Sequence, residues 1–204
     1  MIGRLARFYG SARRLAHSTR ALGAVEFALT APFLILMYIG SYQLMDAISA
    51  YRKVTITART LADLSTQNET ATPDQMQAIL NGARQVMTPY STAGASLVIA
   101  QIAVDHNGTP TFTWVCVNSN SPVCSTSDPK LPISELNIPD DLKIPDSYMI
   151  YSQIIFQYTP SVAGSLIGPL TFSDHIYMNP RLSPSVCLNT GTDSVPNCLG
   201  QGTS

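Results

Sequence analysis

Residues 22–45 read LGAVEFALTAPFLILMYIGSYQLM, an apolar run interrupted by one acid, Glu26, and one proline, Pro32. About 20 apolar helical residues cross the ~30 Å hydrocarbon core of a bilayer, so this run has the length of a transmembrane helix. A cleavable secretory signal is the competing reading. Its basic region would be unusually long, Glu26 and Pro32 interrupt the core, and no small-x-small site closes it. In a membrane helix, neighbouring groups can satisfy the carbonyl that Pro32 leaves without a donor, and the proline predicts a bend near residues 28–32.

Charge gives the run a direction. Arg4, Arg7, Arg13, Arg14 and Arg20 precede it, and no Asp or Glu occurs before Glu26. Residues 22–204 hold seven Lys and Arg against thirteen Asp and Glu. A basic start, an apolar run and a mildly acidic remainder follow the positive-inside rule, with residues 1–21 cytoplasmic and the bulk exported. Nucleic-acid binding is the other reading of five early arginines, but their position against a hydrophobic segment points to topology. Four cysteines agree with export. The spacings of Cys116 with Cys124 and of Cys187 with Cys198 are unlike the tight pairs of a zinc site. Of the three possible pairings, nearest neighbours are the simplest, and closing either loop would restrict the unfolded chain by roughly 2–3 kcal/mol. Four free thiols in a reduced protein are the alternative.

The helix is expected to continue past the membrane. Leu44, Ala47, Ile48, Tyr51, Val54, Ala58, Leu61 and Ala62 recur at helical spacing, which makes one helix of residues 22–66. That stripe covers the chain's own sheet, a neighbour, or both. A second helix is signalled by TPDQMQAILNGARQVM, where Thr72 caps, Pro73 fits the first turn and Gln75 completes a capping box. The period then switches to two. In SLVIAQIAVD, Val98, Ala100, Ile102 and Val104 share a face; in TFTWVCV, Phe112, Trp114 and Cys116 do, with HNGTP between as a turn. Residues 118–146 read as a long excursion. YMIYSQIIFQYT and LTFSDHIYM supply two more strands. The expected fold is α+β, a long N-terminal helix and a small domain with a second helix and roughly four antiparallel strands. Its parts are a leader (1–21), a span (22–45), a domain (46–182) and an irregular tail (183–204).

No catalytic constellation rises above background, and no cofactor is called for. His17, His106 and His175 form no metal-spaced pair. His175 beside Asp174 lacks any GxSxG partner. Asp140 and Asp141 alone are weak evidence for calcium.

RALGAVEFALTAPFLILMYIG resembles the RG-x-x-AVEFAL-x-x-P-x-L-L start of TadE/TadG-like minor pilins of the tight-adherence (Tad/Flp) pilus system. AYRKVTITARTLADL, SLVIAQIAVDHNGTPTFTWVC, SYMIYSQIIFQYTP and HIYMNPR are similar to later segments of that family, in order, so the resemblance covers roughly residues 18–182. It implies that a prepilin peptidase cuts between Ala21 and Leu22, leaving a new amino terminus with Glu26 at +5. It implies further that Glu26 pairs with the amino terminus of an adjacent subunit. Its implied partners are other Tad pilins, the inner-membrane assembly platform and lipid. Two departures stand out: Ala21 replaces the usual Gly before the cut, and the tail beyond Arg181 extends past the family's usual end. Cutting after Gly23 instead would leave Glu26 at +3. Glu26 lying at headgroup level without a partner is the bland alternative.

The leading expectation is a non-enzymatic minor pilin or pseudopilin, single-pass in a bacterial inner membrane, with its domain periplasmic. It would serve pilus assembly, adhesion and biofilm formation. The alternative is an unprocessed, membrane-anchored periplasmic binding module; a tethered hydrolase is the third reading.

Overall fold

The computed structural model describes residues 19–118, 123–125, 136, 138–162, 164 and 168–189. One unbroken helix, α1 (Thr19–Thr66), carries Pro32 in its interior. Strand β1 (Thr70–Ala71) leads into helix α2 (Pro73–Val86). The start of α2 is local chemistry. Thr72 Oγ1 accepts the Gln75 amide at 3.2 Å, and Gln75 Oε1 accepts the Thr72 amide at 2.8 Å, satisfying two donors that a helix terminus leaves open.

The main sheet is antiparallel with strand order β4-β3-β2-β5-β6. Its members are β2 (Ser96–Val104), β3 (Pro110–Asn118), β4 (Val123–Ser125), β5 (Ser147–Tyr158) and β6 (Leu170–Met178). The fold is therefore α+β, with five strands where the sequence reading counts about four. The fifth, β4, falls inside the excursion; it is short, but Cys124 in it pairs in register with Cys116 of β3.

Strand β2 is central and buried on both faces. Leu97 and Ile99 join the core beneath the helices, while Val98, Ala100, Ile102 and Val104 join a second cluster on the opposite face. Leu136 and Ile138, from the later part of the excursion, pack on that second cluster. The shared face expected for Phe112, Trp114 and Cys116 is corrected by a bulge. Gln101 pairs with Trp114 but Ile102 with Phe112, so Thr113 is the extra residue and Phe112 turns to the far face. Buried Gln101 fits this irregularity by donating to Thr113 Oγ1 at 3.0 Å.

Helix α1 packs its second half on β5 and β6. Ala50, Val54, Ala58 and Leu61 are fully or almost fully buried, and Ser152 Oγ donates to the Ala58 carbonyl at 2.8 Å. Small residues let the helix approach the sheet closely. Of the expected stripe, Ala47, Val54, Ala58, Leu61 and Ala62 face inward, whereas Leu44, Ile48 and Tyr51 stay 62%, 40% and 48% exposed and Ala50 takes an inward position beside Ala47.

Residues 181–189 are woven into the domain. The Arg181 amide donates to the Thr66 carbonyl at 3.1 Å, and its guanidinium meets Asp63 at 2.7 Å. Strand β7 (Cys187–Leu188) pairs in parallel with β1. Trp114 Nε1 donates to the Val186 carbonyl at 2.7 Å, and the Val186 amide donates to Gln101 Oε1 at 2.6 Å. Both polar groups of one buried tail residue are thus met by side chains of the sheet.

Candidate functional site

The residues that the sequence singles out lie on the uncovered half of α1. Ala21 and Leu22 fall within its first turn, and Glu26 follows one turn later. The apolar window of this helix has none of its residues buried inside the domain, and the helix is long and apolar enough to cross a membrane. Leu22, Phe27, Leu29 and Phe33 are 64–76% exposed. Glu26 is exposed among them, and its backbone carbonyl accepts the Thr30 hydroxyl at 3.1 Å. The ion pairs among the described residues are His106–Asp146, Lys143–Asp140 and Arg181–Asp63, so none involves Glu26.

Just beyond the apolar run the helix becomes part of the domain. Asp46 Oδ1 accepts the Tyr90 hydroxyl at 2.9 Å, and Asp46 Oδ2 accepts the Tyr158 hydroxyl at 2.5 Å. Burial, then the hydrogen bond to Asp46, pushes the Tyr90 phenol up to about 12. The same causes raise Tyr158 well above the ordinary phenol range. Both phenols stay protonated and donate, so each Asp46 carboxyl oxygen is met by one tyrosine hydroxyl. The sequence alone gives Asp46 no partner. Its signal was position, an acid one residue past a membrane-length run; the two tyrosines come from distant segments and carried none.

The cysteines divide in two. Cys116 and Cys124 form a disulfide across β3 and β4. Cys187 is also disulfide-bonded, while Cys198 lies outside the described residues, as do His17 and the leader 1–18. Asp174 and His175 are not brought together as an acid–base pair. The Asp174 carboxylate accepts the backbone amide of His175 at 2.9 Å, and the imidazole sits between Tyr151 and Tyr177. Asp140 is taken by Lys143 at 2.7 Å, which holds its carboxyl below the usual range. Among the described residues, no three His, Cys, Asp or Glu gather as metal ligands.

Among known proteins, no family model matches the chain, and no curated protein or solved structure is detectably similar to it.

Proposed function

We propose that the chain is a minor pilin or pseudopilin of a Tad/Flp-type pilus, a structural and assembly component rather than a catalyst. The observation that carries this reading is the two-part character of α1. One continuous helix leaves its first half bare around a single acid and locks its second half into an α+β domain. A helix built this way transmits force and position from membrane to domain without a joint.

In this reading the chain sits single-pass in a bacterial inner membrane, amino terminus cytoplasmic and domain periplasmic. A prepilin peptidase removes the basic leader between Ala21 and Leu22. A charged residue near the centre of a membrane helix costs about 2.5–3.5 kcal/mol on insertion scales. The new α-amino group of a neighbouring subunit, brought close in low dielectric, offsets much of that cost for Glu26. Only one axial stagger satisfies both charges, so the acid acts as a register device, as a single polar residue does in a coiled-coil seam. Other Tad pilins and the inner-membrane assembly platform are the partners, and adhesion and biofilm formation the output.

The test is replacement of Glu26 in cells that make the pilus. Glu26→Gln and Glu26→Ala are expected to leave leader removal intact while sharply reducing the amount of this subunit in sheared pili. Normal incorporation of both variants would contradict the pairing role.

A second reading has one observation in its favour. The end of the domain away from the span carries a hollow of about 390 Å³ lined by Asp105, His106, Asp146 and Tyr148, the sort of concavity a static binding module would use. That module would keep its leader.

A further inference from the structure

The domain is attached to α1 at a fixed height. Tyr158, the last residue of β5, reaches Asp46, whereas Ser152, further back in the strand, reaches Ala58. Strand β5 therefore runs antiparallel to α1, and its carboxyl end lies where the apolar run stops. Tyr90, from the segment joining α2 to β2, reaches the same aspartate. Ala47, two residues past the run, already touches the core, so no linker separates span from domain.

The pole so placed is almost devoid of charge. Residues 85–96 and 159–170 contain no Asp, Glu, Lys or Arg. Among the described residues of this pole, Asp46 is met by two phenols, and Arg84, at the end of α2, donates to the Ala95 carbonyl at 3.1 Å. Val162 and Leu170 are 59% and 38% exposed there, and Pro89, Ala93 and Gly94, in the segment that carries Tyr90, are exposed as well. The opposite pole is the reverse: it carries Asp105, Asp140, Asp141, Lys143 and Asp146. Tyr38 and Tyr42 project from the last turns of the apolar run, in the position of an interfacial aromatic belt.

We infer that the uncharged pole, formed by Thr88–Ala95 and the described residues between Thr159 and Leu170, rests in the interfacial layer of the bilayer that α1 spans. The occupant of this surface is lipid. Its apolar groups are continuous with the span, the charged groups among its described residues are Asp46 and Arg84, each already bonded within the domain, and its distance from the membrane exit is the reach of one tyrosine. The domain then has two membrane contacts, the helix and this pole, and cannot swing about the helix axis without lifting Val162 and Leu170 into water. Amphipathic surfaces of this kind settle about 5–10 Å into the headgroup–acyl boundary. The inference rests on α1 spanning a membrane and holds for a pilin precursor and for a static anchored module alike.

The full-length chain in phosphatidylcholine nanodiscs tests it by tryptophan fluorescence. Trp114 is the only native tryptophan and is buried, so its emission can be subtracted. Val162→Trp places a probe at the proposed contact and Leu142→Trp one at the far pole; Ser161→Trp, also exposed, repeats the first if Val162→Trp misfolds. Lipid brominated in the upper acyl chain is expected to remove more than half of the added emission of the Val162 probe and little from the Leu142 probe, with aqueous iodide showing the opposite order. Equal iodide quenching of both probes, without lipid quenching, would overturn the inference. So would blue-shifted Val162 emission protected from both quenchers, which would place protein there. The outcome does not depend on leader removal, so it fails or holds separately from the pilin reading.

Discussion

Tyr158 Oη lies 2.5 Å from Asp46 Oδ2, joining the last residue of a core strand to the first acid that follows the membrane-length run. Tyr90 occupies the other carboxylate oxygen. Replacing the acid by Ala strands two partly buried hydroxyls, whereas removing one hydroxyl leaves the other bond in place. Asp46→Ala is expected to destabilise the domain by about 1–3 kcal/mol, and Tyr90→Phe by about 1 kcal/mol. Denaturant titration of the full chain in detergent micelles, followed by the fluorescence of Trp114, checks both.

The same clamp gives an alkaline signature. A phenol whose folded pKa is raised contributes stability that is complete below its unfolded value, near 10, and lost as pH rises through the folded value. For Tyr90 that window runs from 10 to about 12. Tyr151 on the far face, raised to about 12 by its own burial, loses stability over the same interval. Wild-type protein is expected to weaken steeply there, and Tyr90→Phe less so; ultraviolet titration of tyrosinate alongside unfolding measures it.

Gln101 and Trp114 hold both backbone groups of Val186. Gln101→Leu removes the acceptor for a buried amide and the donor to Thr113, and is expected to cost about 1–3 kcal/mol. The distinguishing result is local: hydrogen exchange should quicken at Val186–Asn189 before it quickens in β5. Uniform acceleration across the sheet would mean that the tail segment is no separate closing element.

The Cys116–Cys124 bridge closes a short loop, so removing it by a double Cys→Ala change is expected to lower stability by about 2–3 kcal/mol, measured under non-reducing conditions.

Local chemistry was legible and long-range closure was not. Thr72, Pro73 and Gln75 announced α2 because the cap is made by neighbours in sequence. Alternation announced β2, β5 and β6. The inward side of α1 was legible at Ala47, Val54, Ala58, Leu61 and Ala62 but not at its edge, because Leu44, Ile48 and Tyr51 outweigh Ala50 in hydrophobicity, although the smaller residue allows the closer approach to the sheet. Phe112 was assigned to the wrong face because a one-residue bulge reverses alternation without any mark in composition. Val186 lies in a stretch without periodicity, and its partners are set by tertiary contact. Ala21, Leu22 and Glu26 could be located from sequence, but the pairing assigned to Glu26 lies between chains and leaves no trace in one.

The most direct test is the intact mass of the chain extracted from membranes of cells with and without active prepilin peptidase. A chain beginning at Leu22 only when the peptidase is active is the expected result, since it puts an amino group within reach of a neighbour's Glu26. A chain still beginning at Met1 in the presence of active peptidase would contradict the pilin assignment.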